Sequence, residues 1–265
     1  MHDRRGSGPP VVLLHGLAST HRWWDLVIRR LPRRRVLCWD HRGHGQSAVT
    51  GGYRVEALAE DAAAVLDQRG LHGCVVAGHS MGAAVALQLA VRRPDLVSGV
   101  CCVEGGLPDP RILFGDHWNT AHAVMRNDRR TEPTASTLAA WARGAGLPEA
   151  ALPAVLANYQ PAREPGRLRL RLDRGAETGL AYSLWCQQPA TLLAAINAPV
   201  TAVMARPKHS GQLHRLQAAL CSTMTRSGRQ VRVVWLDGGH HLPLQHPARI
   251  AGIIKDLADR AQSGS

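Results

Sequence analysis

Three short stretches of the chain carry residue types that together can perform acyl transfer. The first is Gly78-His79-Ser80-Met81-Gly82. A serine hydroxyl is a weak nucleophile unless it is held clear of its surroundings beside a base. The G-x-S-x-G spacing meets the first need, because two glycines permit a tight strand-to-helix turn that lifts the hydroxyl. Met81 then starts a helix, where its N–H can stabilise a developing oxyanion. The second stretch is His15-Gly16-Leu17, directly after an apolar run. Gly16 allows a sharp turn, and the Leu17 N–H offers a second oxyanion donor. The third is Gly238-Gly239-His240-His241-Leu242-Pro243. Histidine is the side chain whose ordinary pKa suits a general base near neutrality. His240 is taken as that base, because it follows the glycine pair and lies in a G-H-x(6)-P spacing that ends at Pro247. His241 is then a pocket or packing histidine.

These stretches need a scaffold that brings them together, and the hydrophobic pattern supplies one. Val11–Leu14, Val36–Trp39, Gly73–Ala77, Val97–Val103, Val200–Met204 and Val231–Leu236 read as short buried strands. Helical spacing of apolar residues separates them at Trp24–Leu31, Val55–Arg69, Gly82–Arg92, Gln212–Thr223 and Ala248–Ala261. Strand–helix alternation predicts an α/β fold: a mostly parallel sheet of about six strands flanked by helices. The alternation stops between Gly105 and Pro189. That stretch shows helix-like pieces around Trp118–Asn127, Thr134–Arg143, Glu149–Tyr159 and Thr178–Gln187, and no clear strand. It is too long for a plain loop. The expected organisation is a core of residues 1–104 and 190–265 with a helical cap at residues 105–189, lying over the sheet's carboxyl end, where open α/β folds place ligands.

His15-Gly16, Asp40-His41-Arg42-Gly43-His44-Gly45-Gln46-Ser47, Gly78-His79-Ser80-Met81-Gly82 and Gly239-His240 together resemble the α/β-hydrolase superfamily, in order and spacing, across the whole chain. The resemblance implies a Ser–His–acid triad, a helical cap, and a structural bracing role for the D-x-R-G-x-G-x-S loop. The sequence departs from the family at the acid, which usually follows the penultimate strand. Here that strand is followed by Ala205-Arg206-Pro207-Lys208-His209-Ser210, with no carboxylate and two cations. Some family members carry the acid one strand after the nucleophile, and Glu104 stands there. A solvated strand-end or helix-capping carboxylate is the other reading of Glu104, and Asp109 and Asp116 are substitutes for the role. A second departure is the short lead of ten residues before the first strand, in place of the family's antiparallel hairpin.

The chain has 265 residues, a formal net charge of +12 and a pI near 10.6. At 45% hydrophobic and 20% charged it is neither a disordered nor a membrane composition. The cations are almost all Arg, scattered, with Lys208 and Lys255 the only lysines. No nucleic-acid-binding pattern accompanies them. An acidic acyl carrier protein is the macromolecular partner such a charge suits. Met1–Pro10 lacks a signal-peptide core and the cysteines form no C-x-x-C pair, so reduced thiols in the cytoplasm are expected. No nucleotide fingerprint or metal-ligand spacing appears, so no cofactor is implied. The acyl pocket is expected to draw on Trp24, His79, Trp118, Trp141, Trp185 and His241, with Met125, Tyr159 and Tyr182 also available. Three functions follow: a serine hydrolase of esters or thioesters through an acyl-enzyme on Ser80, an acyltransferase or thioesterase acting on carrier- or coenzyme A-bound acyl groups, or a receptor that keeps the fold without the chemistry.

Overall fold

The computed structural model describes residues 1–125, 132–206, 218, 219, 222 and 231–263. A seven-stranded sheet forms the centre. Its strands are β1 (His2–Arg4), β2 (Ser7–Leu14), β3 (Arg34–Cys38), β4 (Cys74–His79), β5 (Val97–Val103), β8 (Val200–Arg206) and β9 (Val231–Asp237). They lie in the order β1-β3-β2-β4-β5-β8-β9. The six strands expected from sequence all pair in parallel. The seventh, β1, runs antiparallel to β3 at the edge. Three residues are too few to show a period, so the polar lead hid it.

Side chains alternate across each strand, and this splits the core in two. Val12, Leu14, Val76, Val100 and Cys102 face α2 (Val55–Gln68) and α3 (Met81–Arg92). Val11, Leu13, Val75, Ala77 and Cys101 face α1 (Asp25–Ile28) and the C-terminal helix Pro247–Ser263. Cys101 and Cys102 therefore point to opposite faces, and burial pushes the Cys101 thiol up to about 12. Coverage on both faces explains why β4 is buried at every position. The helix expected over 212–223 falls largely outside the described residues.

Between β5 and β8 lie α4 (Pro110–Phe114), α5 (Trp118–Met125), α6 (Ala135–Gly144), α7 (Leu152–Leu156), α8 (Arg174–Trp185) and α9 (Pro189–Ala195). This segment also holds a hairpin of β6 (Tyr159–Pro161) and β7 (Leu168–Leu170). The expectation of a strand-free segment is corrected there. Each hairpin strand is three residues long, below the length at which alternation becomes readable. Among the described residues, no helix is long and apolar enough to cross a membrane.

Candidate active site

Ser80 joins β4 to α3 with φ 53° and ψ −116°, a conformation that L-residues adopt only under constraint. The constraint is visible in the flanking glycines. A Cβ on Gly78 would overlap the Gly82 carbonyl oxygen, and one on Gly82 would overlap that of Leu14. Neither position has room for a side chain. The Ser80 N–H donates to the Val103 carbonyl at 2.9 Å, fixing the turn to β5. Met81 opens α3, where an N–H has no acceptor within the helix. Gly16 lies against the same turn: its Cβ would be 3.1 Å from Ser80 Cβ. The Ser19 N–H closes a tight turn onto the Gly16 carbonyl, with Leu17 at its tip.

The loop after β3 braces this floor. His15 Nδ1 donates to the Gly16 carbonyl at 2.8 Å, and its Nε2 accepts the His41 N–H at 3.0 Å. Asp40 accepts from the His21 ring, the His21 N–H and the Gln46 N–H. Burial alone would raise the Asp40 pKa, but these hydrogen bonds outweigh it and hold the carboxyl well below the usual range. Arg42 forms a two-pronged ion pair with Asp61 on α2.

Glu104 follows β5 with φ 53°, and with Ser80 and Ala18 it is one of three non-glycine residues at positive φ among the described residues. Its N–H donates to the Val203 carbonyl at 2.9 Å. The carboxylate is 9% exposed. Oε1 accepts the Ala205 N–H, and Oε2 lies 3.3 Å from Nδ1 of His240. Asp109 instead caps α4 by accepting the Arg111 N–H, and Asp116 is solvent-exposed. His240 is half exposed and lines one cavity with Ser80, Glu104, Leu17 and Met81. No hydrogen bond joins Ser80 Oγ to the His240 ring in this conformation; such bonds commonly tighten only around a substrate.

Residues 9–195 match the model of a family described as alpha/beta hydrolase fold. The chain belongs to that family. It is 28% identical over 260 residues to lipase LipV of Mycobacterium tuberculosis (strain ATCC 25618 / H37Rv), covering 94% of this chain and 93% of that protein. It is 37% identical over 99 residues to the sn-1-specific diacylglycerol lipase ABHD11 of Mus musculus, a match spanning 36% of this chain and 32% of the mouse protein. Among solved structures, that of E-2-(acetamidomethylene)succinate hydrolase superposes with a TM-score of 0.78 at 23% identity, covering 96% of this chain and 93% of the other.

The cavity of this α/β hydrolase has a volume of about 960 Å³. Its walls are mostly apolar, with Leu87, Phe114, Val124, Leu138, Trp141 and Leu192 among them. No Arg or Lys lines it among the described residues, although the chain is strongly cationic. His79 and His241 also line it, and His241 packs edge-on to Trp141 and Trp23.

Three of the expected pocket residues are placed elsewhere. Trp24 is fully buried in the core between the sheet and the C-terminal helix. Its neighbour Trp23 lines the cavity instead, because adjacent residues of the turn His21–Trp24 face different ways. Trp118 and Trp185 pack with Tyr182 in an aromatic cluster and are not among the residues that line the cavity. Arg111 lies over the Trp185 ring, and Trp185 Nε1 donates to the Gly115 carbonyl. Nothing in the adjacent pair Trp23-Trp24 distinguishes the cavity residue from the core residue.

Proposed function

We propose that this α/β hydrolase cleaves carboxylic esters of neutral, hydrocarbon-rich acids through an acyl-enzyme on Ser80. The observation that carries the proposal is the 3.3 Å approach of Glu104 to His240 Nδ1 in a cavity that also contains the strained Ser80. A carboxylate there keeps the proton on Nδ1 and leaves Nε2 free as the base. His240 Nε2 removes the Ser80 proton as Oγ attacks the ester carbonyl. The N–H groups of Leu17 and Met81 hold the tetrahedral oxyanion. The imidazolium returns the proton to the departing alcohol, and water, deprotonated by the same ring, releases the acid.

The cavity lining supports the acyl class. A carboxylated acyl chain would need a cation to offset its desolvation, and no Arg or Lys is among the described lining residues. The full-length similarity to a protein named as a lipase supports an ester. The test is an acyl series of p-nitrophenyl esters. Each added methylene that the cavity buries is worth about 0.8 kcal/mol, so kcat/KM should rise about fourfold per carbon over the short chains. A succinyl monoester should react worse than butyrate. A flat series, or a preference for the succinyl ester, would overturn the acyl assignment, and a Ser80→Ala variant of unchanged rate would remove the acyl-enzyme.

A second reading is a thioester delivered by coenzyme A or an acidic acyl carrier protein, which the +12 charge favours. It requires carrier-bound turnover to exceed that of the free ester and to fall with salt.

A further inference from the structure

We infer that His79 is a positioning residue that clasps the nucleophile turn to the loop of His240. The inference rests on the proposed roles of Ser80 and His240, and concerns a side chain that those roles leave unused. The His79 ring is almost fully buried, and its Nε2 lies 2.7 Å from the backbone carbonyl of His240. A carbonyl only accepts, so Nε2 carries the proton and donates. In the neutral ring Nδ1 then holds a bare lone pair. That atom is buried with no hydrogen-bond partner.

A buried acceptor without a partner is a cost that an apolar ring at this position would avoid. What the histidine provides in return is one hydrogen bond across 161 residues of sequence, to the backbone of the base itself. The ring also has two aromatic neighbours. It stacks on Trp23 at 6.0 Å and tilts against the His240 ring at 4.9 Å. Gly16 makes the space, since its Cβ would lie 3.1 Å from His79 Nδ1. Burial, followed by repulsion from His240, pushes the His79 pKa well below its ordinary value. The ring therefore stays neutral while the neighbouring imidazole cycles through its charged form. His79 thus ties the turn of Gly16, the turn of Ser80 and the loop of His240 into one unit, which keeps His240 Nδ1 on Glu104.

The test compares His79→Phe, which keeps the ring stack and loses the donor, with His79→Gln, which keeps a donor. On a p-nitrophenyl ester, His79→Phe should lower kcat by about ten- to a hundredfold with KM within about twofold, and His79→Gln should recover at least about a third of the loss on a logarithmic scale. The low-field proton resonance of the His240 Nδ1–H bound to Glu104 should broaden or vanish in His79→Phe and persist in His79→Gln. Equal kcat in wild type and His79→Phe, or an unchanged resonance, overturns the inference. A loss of equal size in both variants with an intact resonance assigns His79 to packing alone. Fluorophosphonate labelling of wild type separates the two levels: no labelling of Ser80 defeats the acyl-enzyme itself, whereas normal labelling with an unaffected His79→Phe variant defeats only the clasp. Thermal unfolding of both variants identifies any loss due to misfolding; if His79→Phe is unfolded, the His79→Gln rate and resonance decide alone.

Discussion

Replacing Glu104 by Gln tests the triad most directly, because the change preserves shape and removes only charge and acceptor capacity. The substituted amide retains a carbonyl oxygen for the Ala205 N–H, so its nitrogen is left facing His240 Nδ1. An amide N–H there favours the tautomer with the proton on Nε2, which cannot accept a proton from Ser80. The lost attraction can be sized. Opposite unit charges 3.3 Å apart interact by about 5 kcal/mol at an effective dielectric constant of about 20. His240 is half exposed, and solvent screening brings this to about 2–3 kcal/mol. That alone is a rate factor of about 10². The wrong tautomer adds to it, and removal of the corresponding charge in serine proteases costs about 10⁴. The expected outcome is a fall in kcat/KM of about 10²–10⁴ with KM little changed, measured on a p-nitrophenyl ester. Near-ultraviolet circular dichroism and melting temperature should match wild type, since the Ala205 contact survives. A folded Glu104→Gln variant within about threefold of the wild-type rate would refute the assignment and return the search to other carboxylates.

Two further outcomes concern the scaffold. His41 is buried with neither ring nitrogen hydrogen-bonded, and burial, followed by repulsion from His44, lowers its pKa to about 3. The unfolded chain binds that proton near the ordinary value of about 6.5, so between these limits the unfolded state carries more protons and stability falls as pH falls. This group costs about 2 kcal/mol of stability between about pH 7 and pH 5, and urea unfolding of His41→Phe at the two values should show that much less pH dependence, whatever its fixed packing cost; an identical slope would show that His41 takes up its proton as readily in the fold as in the unfolded chain. Gly82→Ala places a Cβ against the carbonyl oxygens of Leu14 and His15, backbone atoms that cannot swing aside. It should cost about 3 kcal/mol or more, read as lost soluble expression or a large drop in melting temperature, and a native-like melt would mean that the elbow can relax.

What the sequence made legible is what local backbone geometry demands. The glycines flanking Ser80, and Gly16 beside it, are requirements of close approach, and their spacing carries that requirement in the letters alone. The central parallel strands showed because they are buried on both faces and read as continuous apolar runs, and the more exposed β9 showed through its β-branched residues. The strand β1 and the hairpin β6–β7 did not show, being too short for any period. The pocket aromatics failed for a different reason. Which way Trp23 and Trp24 face, and whether Trp118 and Trp185 meet the cavity or each other, depends on how the segment between β5 and β8 lies on the core. Composition supplies the rings but not their partners.

The end of β8 carries no carboxylate, but it is not idle: Ala205 donates its N–H to Glu104. Because β8 lies beside β5 in the sheet, a carboxylate at the end of either strand can reach the same histidine. Glu is one methylene longer than Asp, and from the end of β5 its two oxygens meet the Ala205 N–H and His240 Nδ1. One carboxylate oxygen is held on the neighbouring strand and the other lies at His240, so under the proposed mechanism the two strand ends would share a task that the family usually assigns to one. On this account Glu104→Asp should be more damaging than its chemical similarity suggests. The shorter side chain keeps its charge, but it cannot reach Ala205 and His240 together. An aspartate variant with wild-type kcat/KM would show that the simultaneous contact with Ala205 and His240 is not required.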